Sequence, residues 1–261
     1  MTAATTSGHV ILASKSASRR TMLGAAGVSF DVVPAAIDER SLEAELGDVE
    51  PARVALALAR AKALSVESGL RPVLGSDSVV AVEGRRFDKP ASRTQAAEHL
   101  RYFSGKTMEL HSAAAIALGG HLRWDHVAVA RLKVRALSDD FIERYLTAEW
   151  PEVSQCVGVF RIEALGPQLF DSIEGDMFTV LGMPLLPVLR ALRELEVLPA
   201  GMPTPRSSAI RSRSRNRRRS TTTGSARRGS KRTTARATSP PPAWQAISPR
   251  AAKTRHGAGA T

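Results

Sequence analysis

The sequence lacks most of the features that mark secreted, disulfide-bonded or membrane-spanning proteins. Cys156 is its one cysteine among 261 residues, so no disulfide can form within the chain. No apolar run reaches the roughly 18 residues of a transmembrane helix, and the chain does not begin with the basic and apolar segments of a secretory signal. We therefore expect a cytoplasmic protein that has no membrane partner.

Common nucleotide- and metal-binding motifs are absent as well. Neither GxxxxGK[ST] nor GxGxxG occurs, which argues against a P-loop or a Rossmann dinucleotide site. The six histidines show none of the spacings of metal ligands, and no histidine near Cys156 could activate it as a nucleophile. Any chemistry must therefore come from hydroxyl, carboxylate and basic side chains.

Acidic residues are missing from one end of the chain. The whole sequence has 37 Lys and Arg against 25 Asp and Glu, a net charge of +12. Residues 200–261 hold 15 of the basic residues and no acidic one, which leaves 22 basic and 25 acidic residues, a net charge of −3, in 1–199. We predict one globular domain over 1–199 and a disordered Arg/Ser-rich segment over 200–261.

Two interpretations of residues 200–261 are open. An Arg-rich disordered segment can bind RNA or DNA without sequence preference, or act as a localisation signal. Alternatively, the segment is the product of a frameshift, because residues 208–217 can be encoded by DNA whose other frame resembles the start of shikimate dehydrogenases. Sequencing the coding DNA decides between them, and a downstream frame without dehydrogenase-like sequence would contradict the frameshift.

The first 199 residues alternate short apolar runs with helical patterns. Two long strands meet at Gly119-Gly120, a hairpin signal that introduces antiparallel pairing. We therefore predict an α/β fold with a mixed sheet. Strands are expected at 9–13, 30–34, 108–118, 122–134 and 157–162, a strand pair or bulged strand at 72–82, helices at 51–69, 94–103 and 184–195 and from Ser138, and an acidic loop at 38–50.

The segment 14–20, between a predicted strand and a predicted helix, has the composition of a phosphate site. The hydroxyls of Ser14 and Ser16, with backbone N–H groups at a helix N-terminus, form an anion cradle. Arg19 and Arg20 add charge-assisted donors. The structural alternative is a serine N-cap followed by arginines that point into solvent.

Carboxylates and lysines elsewhere complete a set of groups suited to polyphosphate. Asp77 follows an apolar run, and a carboxylate at a strand end can orient water or bind a divalent ion; alternatively it caps its own turn. Glu39 follows another strand, Lys62 lies within the long helix, and Lys89 follows Asp88. Attack at phosphorus needs both cations for the phosphates and carboxylates for a metal and a water.

Eight short motifs, in order along residues 9–198, resemble the Maf family of nucleoside triphosphate pyrophosphatases, once described as septum-formation inhibitors. They are LASKSASRR at 12–20, IDE at 37–39, ARAK at 59–62, GSD at 75–77, DKP at 88–90, FSGKT at 103–107, IEGD at 173–176 and LGMPL at 181–185. The resemblance implies an elongated mixed sheet in two lobes with a central cleft, a fold shared with inosine triphosphate pyrophosphatases.

The resemblance also implies an activity: hydrolysis of a nucleoside triphosphate to a monophosphate and pyrophosphate with Mg²⁺ or Mn²⁺, as housecleaning of the nucleotide pool by a homodimer. By motif, Asp77 is the general base, and Glu39 and Asp77 bind the metal. The triphosphate contacts implied in the same way are Ser14, Ser16, Arg19, Arg20, Lys62 and Lys89. The alternative function is a non-catalytic nucleotide- or nucleic-acid-binding regulator of septum formation that uses the basic segment.

Three positions implied by the resemblance concern the choice of base: Ser18, Ser78 and Glu163. The dTTP/UTP branch of the family usually has Arg, Thr and Gln there, whereas Glu163 and the GSD motif match the 7-methyl-GTP branch. A carboxylate can accept two hydrogen bonds from the N1–H and N2–H₂ edge of guanine, and it repels the carbonyls of thymine or uracil. The sequence therefore favours a guanine-type nucleotide, modified or unmodified.

Overall fold

The computed structural model describes residues 9–199, which fold around one seven-stranded sheet with the order β2-β1-β3-β5-β6-β7 and β4 paired to β3. β1 runs parallel to β2 and β3, and the other pairs are antiparallel. The predicted α/β class with a mixed sheet is thus confirmed. The strands are β1 Val10–Leu12, β2 Phe30–Val32, β3 Val73–Val82, β4 Arg85–Phe87, β5 Thr107–Leu118, β6 His121–Val134 and β7 Phe170–Glu174.

Helices cover the sheet, and their ends follow local capping signals. The side chains of Ser16, Ser92 and Ser138 each accept a backbone N–H at a helix N-terminus. Pro51 occupies the first position of the longest helix, where its missing N–H is not needed. The helices are α1 Ala17–Ala25, α2 Glu39–Leu46, α3 Pro51–Leu64, α4 Arg93–Phe103, α5 Asp139–Glu149, α6 Met177–Val180 and α7 Leu185–Glu194, with 3₁₀ turns at Glu152–Gln155 and Gly166–Leu169. None of the helices within residues 9–199 has the length and apolar character needed to cross a membrane.

Three local predictions were wrong. Residues 38–50 contain α2, whose N-terminus is capped by Asp38 through the Ser41 N–H at 3.1 Å. Residues 157–162 form turns instead of a strand, because Gly158 and Val159 both have positive φ, at 82° and 57°. Residues 72–82 contain one continuous ten-residue strand, β3, instead of a strand pair or a bulged strand. In addition, strand β7 was not predicted.

The apolar core has two main parts, at opposite ends of the long strands β3 and β5. One part surrounds Val80 and Met108 and includes α4 and α5. The other surrounds Leu74 and Ile116 and includes α1 and α7. Each end of the sheet therefore forms its own lobe, in agreement with the predicted two-lobed architecture.

The space between the lobes arises because β3 changes its neighbour. β1 pairs with β3 as far as Leu74, and β4 pairs with it from Val80 onward. Within the described chain, residues 75–79 have no strand partner on that side, although the other side stays paired to β5. This open edge lines a cleft, and it brings Asp77 of the GSD motif to the cleft wall.

Candidate active site

A cleft of about 990 Å³ lies at the open edge of β3. Its wall combines the N-terminus of α1, one face of α2, the middle of β3, the end of β4 and the segment 152–163. The predicted site residues in this wall are Ser14, Ser16, Ser18, Arg19, Glu39, Lys62, Asp77, Ser78, Lys89 and Glu163. Arg20 is exposed on α1 and is not part of the lining.

The middle of the cleft contains two carboxylates on one ammonium group. Lys62 Nζ lies 2.5 Å from Asp77 Oδ1 and 2.9 Å from Glu39 Oε1. Lys62 and Asp77 are only 7% and 9% exposed, so water screens this charge pair weakly. Asp77 lies in the middle of β3, so its predicted place at a strand end was wrong, and Glu39 begins α2 instead of following a strand.

Gly75 explains how Lys62 reaches Asp77. Residues 75 and 77 share one face of β3, and α3 packs so closely on this face that a Cβ at Gly75 would lie 2.2 Å from the carbonyl oxygen of Ala59. Ala63 is the other near neighbour. Small residues on both elements therefore allow the helix to carry Lys62 onto the carboxylate.

Arg19 connects three separate parts of the cleft wall. Its Nε donates to Gly182 O at 2.9 Å, Nη1 donates to Ser76 O at 2.9 Å and to Ser14 Oγ at 3.3 Å, and Nη2 donates to Ser78 Oγ at 3.1 Å. Burial lowers the pKa of this guanidinium, an effect that Asp77 and Glu39 oppose, and arginine stays protonated in any case. The alternative prediction, that Arg19 points into solvent, is therefore wrong.

The serines of the cleft are also bonded within the protein. Ser78 Oγ donates to Gly182 O at 3.0 Å and lies 3.0 Å from Ser112 Oγ. Ser16 Oγ caps α1 by accepting the Arg19 N–H at 3.4 Å, which agrees with the alternative prediction that this serine is an N-cap. Ser16 also lines the cleft. A substrate contact by Ser14, Ser16, Ser18 or Ser78 stays a prediction.

Helix α5 fixes the wall that carries Glu163. The hydroxyl of Tyr145 donates to Val159 O at 3.0 Å, and the buried carboxylate of Glu149 accepts from Arg161 Nε at 2.9 Å. These supporting side chains were not predicted from the sequence. Their only sequence signal is that polar residues fall on the buried face of an amphipathic helix. Burial also raises the pKa of the Cys156 thiol, and Glu163 adds to this effect, which disfavours a thiolate.

We expect Arg19→Lys to destabilise the fold much more than Arg20→Lys, a matched control at the exposed neighbouring position. A lysine cannot reach all four acceptors of Arg19, and buried carbonyls such as Ser76 O then lose their partners, each at a cost of about 1–3 kcal/mol. Urea unfolding of both variants measures the difference in unfolding free energy. Equal values would show that the buried network contributes nothing.

Comparison with known proteins agrees with this picture. An α/β fold with a cleft lined by lysines, arginines and paired carboxylates has the groups that polyphosphate binding needs. A family model described as Maf-like protein matches residues 9–195, and the chain belongs to the Maf family. The prediction of this family is therefore confirmed.

Several relatives match over nearly their whole length. A nucleoside triphosphate pyrophosphatase of Nitrobacter hamburgensis is 46% identical over 191 residues, which cover 72% of this chain and 95% of the relative. A 7-methyl-GTP pyrophosphatase of Rhizobium meliloti is 45% identical over 195 residues, 73% of this chain and 98% of the relative. Among solved structures, a dITP/XTP pyrophosphatase of Mycobacterium abscessus matches with a TM-score of 0.32 and 18% identity, over 49% of this chain and 75% of that one.

Residues 200–261 lie outside the described part of the chain, as do residues 1–8. The boundary after residue 199 and both interpretations of the basic segment stay predictions.

Proposed function

We propose that this protein hydrolyses a nucleoside triphosphate to a nucleoside monophosphate and pyrophosphate. The observation that carries the proposal is the convergence of Asp77, Glu39 and Lys62 at the open edge of β3, within a cleft large enough for a nucleotide. Relatives that share more than 40% of their residues with this chain carry the name nucleoside triphosphate pyrophosphatase. The activity is that of a hydrolase acting on acid anhydrides.

The residues of the cleft suggest how the reaction proceeds. Water attacks the α-phosphorus while the Asp77 carboxylate takes a proton from it, and the bond from that phosphorus to the bridging oxygen breaks. Pyrophosphate leaves with the electron pair, and Lys62 and Lys89 stabilise the negative charge that it gains. Protein groups accept hydrogen bonds from Arg19, so it also supports the cleft wall, and its contact with the triphosphate stays a prediction.

A divalent cation, Mg²⁺ or Mn²⁺, would be held by Glu39 and Asp77. One oxygen of each carboxylate, Glu39 Oε1 and Asp77 Oδ1, contacts Lys62 Nζ, and the second oxygen of each would bind the ion beside the ammonium group. Residues 9–199 contain no cluster of three or more His, Cys, Asp or Glu suited to a metal, and Mg²⁺ is commonly bound by one or two carboxylates with phosphates and water. When bound, such an ion polarises phosphate oxygens as a Lewis acid.

A pyrophosphate-release assay on the full chain tests the function. A panel of purine, pyrimidine and modified nucleoside triphosphates is compared with Mg²⁺ and with Mn²⁺, and Asp77→Asn serves as the impaired control. If the wild type and this variant are equally inactive on every nucleotide, the hydrolase proposal fails. Nucleotide binding without hydrolysis would then favour the regulator of septum formation.

Glu163 lies in the cleft wall beside Cys156, and it is the residue that supports our proposal for the base of the substrate. We propose a guanine-type base, modified or not, since some relatives are named 7-methyl-GTP pyrophosphatase. Glu163→Gln replaces an acceptor-only group with an amide. We expect kcat/KM for GTP or 7-methyl-GTP to fall by about 10–100-fold, the effect of a lost charge-assisted hydrogen bond. For UTP or dTTP we expect kcat/KM to stay the same or rise, because an amide does not repel their carbonyls. Equal losses on purines and pyrimidines would contradict a role in base recognition.

A cytoplasmic location, a housecleaning role and a homodimer complete the proposal. The family resemblance implies the housecleaning role and the homodimer, and the cytoplasmic location rests on the cysteine content and targeting patterns of the sequence. Size-exclusion chromatography with light scattering tests the dimer.

A further inference from the structure

Arg86 is a cation in the cleft wall that neither the motifs nor the proposed mechanism uses. Side chains alternate along β4. Arg85 points to one side, where its guanidinium lies 4.8 Å from the Phe87 ring centroid and 5.3 Å from that of Tyr102. Arg86 points to the other side, toward α2, and lines the cleft. Two adjacent arginines therefore have different environments, and only the second borders the cleft.

The guanidinium of Arg86 has an unsatisfied donor. Its Nη1 is buried and has no hydrogen-bond partner among the described residues. Its Nη2 reaches Gly47 O only at 3.5 Å, near the limit for a hydrogen bond. A buried charged donor without a partner is unfavourable, and such groups usually indicate a bound ion, water or functional role. A ligand that supplies anionic oxygens would satisfy this donor.

Arg86 lines the same cleft as Asp77 and Glu39, the carboxylates that would bind metal. Its positive charge lowers the pKa of Glu43, which burial and the charge of Asp88 raise. Asp77 and Glu39 also raise the pKa of Glu43. Arg86 therefore acts on the same carboxyl group as the residues of the proposed metal site.

We propose that Arg86 binds the pyrophosphate portion of the triphosphate and the released pyrophosphate product. The planar guanidinium can donate two parallel hydrogen bonds to phosphate oxygens, a geometry that lysine cannot reproduce. Because Arg86 Nη1 has no hydrogen-bond partner among the described residues, such a ligand would not have to displace a protein acceptor from it. This inference rests on the proposed function and adds a binding residue to it.

Arg86→Gln tests the inference, with Arg85→Gln as the matched control on the same strand. We expect the inhibition constant of pyrophosphate and the KM for the nucleoside triphosphate to rise at least about tenfold in Arg86→Gln, with a smaller change in kcat. Arg85→Gln should leave all three unchanged, and Arg86→Lys should give an intermediate pyrophosphate affinity. Calorimetric titration of the full chain with pyrophosphate and Mg²⁺ measures binding without turnover.

Two results would overturn the inference. One is unchanged pyrophosphate affinity in Arg86→Gln, and the other is a fall in kcat alone. If Arg86→Gln does not fold, wild-type pyrophosphate affinity in Arg86→Lys would equally contradict bidentate binding. Failure of the proposed function is a separate result: the wild type would then hydrolyse no nucleotide, while the calorimetric titration would still show whether pyrophosphate binding depends on Arg86.

Discussion

Asp77→Asn is expected to lower kcat for the preferred nucleotide by about 10²–10⁴-fold, the usual contribution of a general base. The substitution keeps the shape of the side chain and an oxygen that can still accept from Lys62 Nζ, which lies 2.5 Å away in the wild type. The negative charge is lost, and with it the ability to take a proton and a charged ligand of the proposed metal. At saturating metal we therefore expect KM to change much less than kcat, and pyrophosphate release under steady-state conditions separates the two.

The control for this prediction is Asp125→Asn. Asp125 lies on β6 and pairs with Arg60 of α3 at 2.6 Å, so the exchange removes the same charge from an ion pair to the same helix. Because this pair is partly exposed and lies outside the residues that line the cleft, its contribution to stability is modest, and activity should remain close to that of the wild type. Retention of more than about a tenth of kcat in Asp77→Asn would exclude the general-base role.

The parts of the site that sequence predicted are those encoded locally. The strand before residue 14 and the helix after it follow from an apolar run and a serine cap, and they are enough to place segment 14–20 at the edge of the sheet. Lys62 within a long helix was equally clear, because Pro51 marks the start of that helix. Asp77 and Glu39 were candidates from their residue type, the family motifs added their expected roles, and the structure contains their contacts with Lys62.

The parts that sequence did not predict depend on distant contacts. Arg19 has the composition of a phosphate ligand, but its Nε partner, Gly182, is 163 residues away. Helix α2 has only eight residues and buries none of them, so it lacks a clear apolar period. The segment 157–162 is apolar enough for a strand, yet hydrogen bonds from Tyr145 and to Glu149 determine its conformation. The local sequence pattern does not show which distant residues will contact each other.

Gly75→Ala is the second change with a large expected effect. The added methyl group would lie 2.2 Å from Ala59 O and 2.5 Å from Ala63 N, and both are backbone atoms of a helix that cannot turn aside as a flexible side chain would. Helix and strand must therefore move apart. We expect a loss of about 3 kcal/mol in unfolding free energy, which corresponds to a fall in Tm of roughly 6–12 °C for a domain of this size.

Gly24→Ala is the matched control, since Gly24 lies in α1 and a methyl group added there would have no neighbouring atom within 4 Å. Alanine is the better helix former by about 1 kcal/mol, so the control should be as stable as the wild type or slightly more stable. Thermal unfolding of the two variants compares the same chemical change in open and in filled space. Equal Tm values would contradict the close approach of α3 to β3.

The same substitution should affect activity even where the variant remains folded. Lys62 lies on the face of α3 that contacts β3, one residue before Ala63, and its ammonium group reaches Asp77 only because Gly75 has no side chain. A shift of the helix by a few tenths of an ångström or more would lengthen this contact. It would also change the positions of the general base Asp77 and of Lys62 relative to the phosphates. Since small misplacements of catalytic groups can lower rates strongly, we expect kcat for nucleotide hydrolysis to fall at least tenfold at a temperature well below the new Tm. Full activity in a destabilised Gly75→Ala variant would show that the fold tolerates this displacement without disturbing the site.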